Sequence, residues 1–430
     1  MICSKCVEPE KLKKFINDHG QSNTCQYCLA AGTTIEKHIL FDHIIDLVDK
    51  NVATEEDLTD YELGLIYECG SDFVNVQSID IVLSEWFDLG REPYFEDLMA
   101  HIPEAYLENE QGAEQHYFSE DGALELNIYE VRWEDFIQGI RHAHRFFNPN
   151  AKGFLSSVFS MLQTDDGDLK SDVIRIISTG QELYRARTVT DRDAAKKIRD
   201  SPHTELGPAP KDKANSQRMT PNGIAAIYCA LERETCLSEI RSITGDIVVS
   251  GAMTPTSQLK LLDLTRLQHV EPPALTLFDD GYRERLHLTT FLKSLVKKMS
   301  KPKGRNDELS YLATQVVFEF LRLQFGNEVS GLVFPSVQTG EVGTNVVLFP
   351  EACVVSATMF VPPSELEQAL GPDLFVKPEP FEEGEKLAFV ANSLRYHRIT
   401  AIETKAEEHD RINDLFMSDL VRKRLGMPIH

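Results

Sequence analysis

Two Cys-x2-Cys pairs, Cys3 with Cys6 and Cys25 with Cys28, stand eighteen residues apart near the start of the chain. Each turn of this kind presents two sulfurs to one tetrahedral ion, and the chain between the pairs closes the ring. Four thiolates leave no coordination position for a substrate, so the expected metal is a structural zinc ion. Four free cysteines in an unstructured N-terminus are the alternative, and the paired spacing argues against it. His19 and His38 are then spare histidines, solvated or packed rather than ligands.

A second group of residues could handle an anion and a developing positive charge. Arg185 and Arg187 lie two apart on an expected strand, so they share a face. Guanidinium forks match diphosphate oxygens, although a salt-bridged strand pair is equally natural in an acidic chain. Arg218, in the loop before Gly223, either adds a phosphate contact or clamps the loop. Glu239 sits at the margin of the stripe Cys236, Leu237, Ile240 and Ile243 of an expected helix. A half-buried carboxylate there can stabilise positive charge, whereas the ordinary fate of a helix glutamate is solvation. Tyr228, at a strand end, can stack on a flat ring or pack in the core. Ser336 follows Phe334-Pro335 where a hydroxyl can bind a ligand, or is a plain turn serine; no Gly-x-Ser-x-Gly turn makes it a nucleophile. Tyr311 and Gln315 share a helix face at i, i+4 and can line the same cleft.

The elements that must position these residues follow from periodicity. Residues 1–32 form the cysteine unit, and Ala30 to Thr34 reads as a break with a helix N-cap. From Ile35 to about Lys50 apolar residues recur at helical spacing, and similar patterns continue to Ser84, over Tyr94 to Ile102, Trp133 to Phe147 and Phe154 to Leu162, giving a mainly helical stretch over 33–178. After Gly180, short β-type runs at Leu183 to Val189, Ile224 to Cys229, Ile247 to Met253 and Leu259 to Leu264 alternate with helical ones. Helices are expected at Arg283 to Met299 and Leu309 to Phe325, then strands at Gly331 to Phe334, Asn345 to Phe349 and Val354 to Val361. Ser201 to Asn222, with four prolines, reads as a long loop of the functional kind. The fold class is α+β, with a second domain over 179–362 and an extension over 363–430 that holds a strand at Arg398 to Glu403 and packs on that domain.

The 430 residues carry a formal charge of −24 and are 42% hydrophobic, which supplies real cores and disfavours a nucleic-acid partner held by phosphate contacts. No apolar run approaches the roughly 20 residues of a membrane span, and no secretion signal opens the chain, so a cytoplasmic protein is expected. Cys69, Cys229, Cys236 and Cys353 read as buried thiols. Neither a dinucleotide-binding Gly-x-Gly-x-x-Gly nor a phosphate loop is present.

The runs Leu183-Tyr184-Arg185-Ala186-Arg187, Asn215 to Ile224, Ile227-Tyr228-Cys229-Ala230, Thr235-Cys236-Leu237-Ser238-Glu239, Tyr311-Leu312-Ala313-Thr314-Gln315 and Gly331 to Ser336, with Asn345 behind, resemble the core of the RES family in order and spacing, over roughly Glu182 to Val361. More loosely, the stretch from Ile35 to Ser178, with Trp133, Phe136 and His144-Arg145-Phe146-Phe147, resembles the HEPN-like helical domain that precedes some RES domains. The run Arg141 to Arg145 lacks the Arg and His spacing of HEPN nucleases, so ribonuclease activity is not inferred. The RES resemblance implies a fold similar to the ADP-ribosyltransferase toxins, with a mixed β core and flanking helices, and NAD as a substrate that is consumed. Arg185, Tyr228, Glu239 and Ser336 would form the catalytic set, with Arg187, Arg218, Tyr311, Gln315 and Asn345 as further NAD contacts.

Nicotinamide leaves as a neutral molecule from a cationic glycoside, so no general acid is needed, while the ribosyl group passes through an oxocarbenium-like state that wants a carboxylate. An NAD glycohydrolase or phosphorylase is the first expectation, as a bacterial toxin or defence effector. An ADP-ribosyltransferase acting on a macromolecule is the second, and a second carboxylate near Glu239 would favour it; Glu232 and Glu234 do not decide. A zinc-containing adaptor or RNA-directed effector with a degenerate RES domain is the third. The resemblance further implies an antitoxin or defence-system partner that occludes the cleft, and a homo-oligomer is compatible with it.

Overall fold

Around the cysteine pairs the chain folds into more than two knuckles. Ile2–Cys3 (β1), Gln21–Thr24 (β2) and Ala31–Ile35 (β3) make a small sheet in the order β1-β3-β2, both pairings antiparallel. Glu10–His19 (α1) buries Leu12 and Ile16 beside it. The break expected at Ala30 to Thr34 is therefore a strand: the β-branched run Thr33-Thr34-Ile35 pairs with β2 on one side and β1 on the other. The helix it was to cap begins at Lys37 and runs to Asn51 (α2), entered from Glu36 without a side-chain cap. Ile2, Val7, Leu12, Ile16 and Ile35 share one core with Leu40, Phe41, Ile44, Leu47 and Val48 of α2. Each such side chain, fully buried, contributes about 1.5–3 kcal/mol.

The computed structural model describes all residues except 59, 61–62, 65–75, 110–111, 119–126, 270–273, 301–308, 310, 341, 364–380, 403–407, 409–411, 413–421 and 423–430. Cys69 and Glu403 lie outside the described residues. Contacts divide the chain into two units, one of residues 1–133, 271–291 and 407–430, the other of 134–270 and 292–406. Among the described residues no helix is long and apolar enough to cross a membrane.

In the first unit, Ala53–Thr54 (β4), Val76–Gln77 (β5) and Tyr117–Phe118 (β6) form a second small sheet with β6 in the middle. The segment around Asp279 belongs to this unit: Asn51 Nδ2 donates to the carbonyls of Leu277 and Asp279 at 2.9 and 3.1 Å. Trp133 and Phe136, two of the three aromatic residues of the helix Ile128–Gln138 (α3), which runs from the first unit into the second, are 4% and 5% exposed.

The second unit is built on a curled mixed sheet of ten described strands: Ile174–Ile177 (β7), Leu183–Val189 (β8), Ile227–Ala230 (β9), Ile247–Pro255 (β10), Leu259–Asp263 (β11), Gly331–Pro335 (β12), Thr344–Leu348 (β13), Val355–Phe360 (β14), Leu387–Val390 (β15) and Arg395–Arg398 (β16). Their order is β14-β15-β10-β8-β9-β13-β12-β11-β7, with β16 also paired to β10. β11 and β12 are parallel, as are β14 and β15; the remaining pairs are antiparallel. The sheet starts earlier than the change of pattern after Gly180, because β7 pairs with β11. The strand expected from Arg398 instead ends there, and Leu387-Ala388-Phe389-Val390 supplies a strand between β14 and β10.

Between β8 and β9 the ladder consists of one pair, Tyr184 with Ala230. Past that pair the two strands part, and this gap in the middle of the sheet sets the place of the site. The helices Arg233–Glu239 (α4), directly after β9, and Leu312–Phe325 (α5) flank it. α5 buries Val317, Phe318, Leu321 and Phe325, with Phe318 edge-on to Phe349 at 5.2 Å.

Candidate functional site

Where β8 and β9 diverge, a cleft of about 360 Å³ opens, within the size range of small-molecule sites. Arg185 and Ala186 of β8, Tyr228 to Ala230 of β9, Cys236, Glu239, Ile240 and Arg241 in and after α4, Gln217 and Arg218 of the long loop, and Tyr311, Phe334 and Asn345 contribute to its wall. Of the nine residues expected at a common site in the second domain, six line this cleft: Arg185, Arg218, Tyr228, Glu239, Tyr311 and Asn345. Ser336, Arg187 and Gln315 do not line it, and each has another partner.

Glu239 is the last residue of α4, and the helix places it against the ends of β12 and β13. Its Oε1 accepts two hydrogen bonds of 2.6 Å, from Ser336 Oγ and from Asn345 Nδ2. Ser336 is 0% exposed and Asn345 5%, so the carboxylate is gripped from the sheet side, while its Oε2 has no hydrogen-bond partner among the described residues. Ser336 is thus turned away from the cleft: its hydroxyl serves Glu239 rather than a ligand. Gly343 makes this approach possible, because a Cβ there would stand 2.1 Å from Thr235 Oγ1 of α4. The stripe assigned to the helix needs one correction. Cys236 is buried and Leu237 and Ile240 pack on Ala186, Ala230 and Val248, but Ile243 is 68% exposed. The helix stops at Glu239 and Arg241 takes a φ of +50°, so Ile243 falls off the helical register.

Arg185 and Arg187 share a strand face, yet only Arg185 lines the cleft. Its Nη1 is buried without a hydrogen-bond partner, and burial lowers its pKa. A buried guanidinium N–H left unbonded by the protein costs free energy that an anionic ligand can recover. Arg187 is paired instead with Glu205, Nη1 to Oε2 at 3.8 Å, the salt-bridge alternative recognised for it. Arg218 is 9% exposed and lies over the Phe334 ring at 5.9 Å.

Tyr228 lies within β9, opposite Val347, rather than at its end. Its hydroxyl accepts from the Met219 N–H at 3.0 Å and meets Thr220 Oγ1 at 3.3 Å, so the phenol anchors the loop while the ring lines the cleft. Burial pushes its pKa up to about 12 despite the opposing effect of these bonds, which removes it from proton transfer near neutral pH. The expected long loop contains helical turns at Pro202–Glu205 and Lys211–Lys213. Gln315 pins its later part: Nε2 donates to Ser216 Oγ, Gln217 O and Thr220 O at 2.9, 2.8 and 3.2 Å. Thr314 Oγ1 adds a bond to the Arg218 carbonyl. Gln315 therefore positions Gln217 and Arg218 and does not reach the cleft.

Eight of the fourteen lining residues escaped sequence reasoning, among them Cys229, Cys236 and Arg241. Cys229 and Cys236 were read as buried thiols, and both are 5% exposed with pKa values pushed up to about 12 by burial, but they also floor the cleft. Arg241 gave no signal, because two residues beyond Glu239 on a continuing helix it would face the other way.

The four N-terminal cysteines converge. Their Sγ atoms all lie within 4.8 Å of one another, with Cys3 to Cys28 at 3.5 Å and Cys6 to Cys25 at 3.8 Å. Burial raises the thiol pKa values of Cys3 and Cys6. It opposes ionisation at Cys25 as well, but there the backbone N–H groups of Cys28, Tyr27 and Cys3 outweigh it and bring the pKa to about 6. This cluster can hold a metal ion.

Residues 182–367 match the family model of the RES domain, and every residue that lines the cleft falls inside that span. The chain thus carries a RES domain over these residues. No curated protein matches the chain.

Proposed function

We propose that the RES domain consumes NAD by cleaving the bond between nicotinamide and ribose and passing the ribosyl group to water or phosphate. The observation that carries this reading is Glu239, a carboxylate held by two donors on one oxygen and open to the cleft on the other. As nicotinamide departs, positive charge develops on the ribose, and a fixed carboxylate within the cleft stabilises it without reorganising. The bond to nicotinamide breaks with its electron pair going to the ring, so no protein acid is required. The Tyr228 ring offers a stacking face for the nicotinamide, and Arg185 and Arg218 offer guanidinium groups for the diphosphate. Ser336 and Asn345 act through Glu239 as positioning residues.

A small acceptor is favoured over a macromolecule by the fate of the neighbouring carboxylates. Glu232 Oε2 is taken up by the Thr344 N–H and Thr235 Oγ1, each at 2.9 Å, and Glu234 is exposed outside the cleft. Neither supplies the second carboxylate that transfer to a side chain would call for. An NAD-depleting enzyme of this kind would act as a growth-arresting toxin or defence effector, restrained by a partner that covers the cleft. The test is to incubate purified protein with NAD, with and without phosphate, and follow nicotinamide and the ribosyl product. Free ADP-ribose, or its 1-phosphate when phosphate is present, is expected; no nicotinamide release under either condition would rule the reading out.

The loop clamp leads to a separate expectation. Gln315→Ala removes three hydrogen bonds from the segment that carries Gln217 and Arg218 and touches nothing in the cleft. KM for NAD is expected to rise by about 10-fold with kcat changed by less than about 3-fold, the pattern of lost ground-state binding. A fall in kcat at constant KM would place Gln315 in the chemistry instead.

For the cysteines we propose zinc. A tetrahedral site with Zn–S of about 2.3 Å has sulfur–sulfur edges of roughly 3.8 Å, close to the two sulfur pairs quoted above. Four thiolates and no other donor type suit a soft divalent ion in a closed, structural site.

A further inference from the structure

Arg241 has no part in the reading above, yet its position is costly. It stands two residues past the end of α4 at φ +50°, the left-handed region that helix C-termini usually give to glycine. Had α4 continued, residue 241 would be rotated by roughly 200° from Glu239. The left-handed turn instead leaves its side chain on the wall of the same cleft, at its exposed edge. In a chain with 68 acidic and 44 basic residues, none of Arg185, Arg218 and Arg241 is ion-paired to a carboxylate among the described residues. Three guanidinium groups thus meet a single carboxylate, Glu239, in the cleft wall.

We propose that the cleft is built for a dinucleotide carrying a phosphomonoester besides its diphosphate, so that NADP is preferred to NAD; this rests on the NAD-cleaving reading. Three arginines and one glutamate leave two uncompensated positive charges. NAD brings two negative charges on the diphosphate and one positive charge on the nicotinamide ring, so the complex would stay positive in a partly desolvated cleft. A phosphomonoester, of about −1.5 to −2 at neutral pH, overturns that residual positive charge and gives the third guanidinium an anion of its own. Arg185 and Arg218, the more buried pair, are matched to the diphosphate. Arg241, at the exposed edge, is matched to the monoester, whose outer oxygens remain hydrated. Glycine would hold the same backbone more easily, and an arginine kept there points to its side chain as the reason.

The test reads binding, apart from turnover. Calorimetric affinities for ADP-ribose and 2′-phospho-ADP-ribose, neither of which carries nicotinamide, are measured for the wild-type chain, Arg241→Gly and Arg241→Lys. The wild type is expected to bind the phosphorylated ligand at least about 10-fold more tightly, and Arg241→Gly to lose that preference, with Arg241→Lys keeping part of it. Glycine suits the left-handed position, so loss of the fold does not obscure the result. Equal wild-type affinities, or a preference that survives in Arg241→Gly, would overturn the proposal. If the preference is present but neither NADP nor NAD yields nicotinamide, the proposal on Arg241 stands and the cleavage reading falls.

Discussion

Glu239→Gln is expected to slow nicotinamide release by about 100- to 1000-fold, the loss typical of removing one preorganised electrostatic partner of the transition state. The substitution is chosen to change charge alone. A glutamine side-chain oxygen can still accept from Ser336 Oγ and Asn345 Nδ2, which now converge on Glu239 Oε1 at 2.6 Å, so the packing of α4 on β12 and β13 is retained. What disappears is the negative charge that faces the ribose. The loss should therefore fall on kcat, with KM for the dinucleotide changed little, as for an interaction made only in the transition state. Ser336→Ala is expected to show the same kinetic signature at about 10-fold, since it removes one of two donors and leaves the carboxylate in place. Single-turnover measurement of nicotinamide separates the chemical step from product release. A Glu239→Gln enzyme with wild-type kcat would mean that the positive charge is stabilised elsewhere.

How much of this was legible in the sequence depends on the range of the interactions involved. β8 was read to the residue, and α5 and β12 to within three, because alternation and helical periodicity are local patterns that the sheet and the helix face preserve. Arg185 and Glu239 were legible as types suited to an anion and to positive charge, and the cleft brings them together. The roles of Ser336 and Gln315 were not legible, because each is decided by a partner far along the chain: Glu239 is 97 residues from Ser336, and the loop acceptors are 95 to 99 residues from Gln315. The single-pair ladder between β8 and β9, which opens the cleft, is a property of strand pairing that neither strand shows alone. Arg241 is a different case. Its local pattern pointed away from the cleft, and a backbone conformation that sequence rules assign to glycine reversed it. The N-terminal strand β3 was missed because Gly32-Thr33-Thr34 carries turn and cap chemistry as readily as strand propensity, and pairing on both edges decided between them.

Cys25→Ser is expected to take the bound metal from about one ion per chain to near none, because a closed four-thiolate site loses both a ligand and its geometry when one sulfur goes. The consequence for folding is large, since the free energy of filling such sites is of the order of 10–16 kcal/mol in isolated zinc-binding peptides and is expressed as folding. Here the cysteines lie at the ends of short elements: Cys3 closes the two-residue β1, and Cys25 directly follows β2. Those strands have little hydrogen bonding of their own, yet Ile2, Val7 and Ile35 between and beside them are core residues shared with α2. Releasing the metal should therefore loosen the packing of α1 and the small sheet on α2, with protease cleavage appearing within the first 36 residues. Loss of amide-exchange protection in α1 should accompany it. Four thiolates leave no position for substrate, so nicotinamide release per folded molecule is expected to stay within about twofold of wild type. A loss of metal without any loosening of these residues would make the ion incidental to the fold. A full collapse of nicotinamide release in a protein that remains folded would mean that the cysteine cluster serves the reaction and not only the architecture.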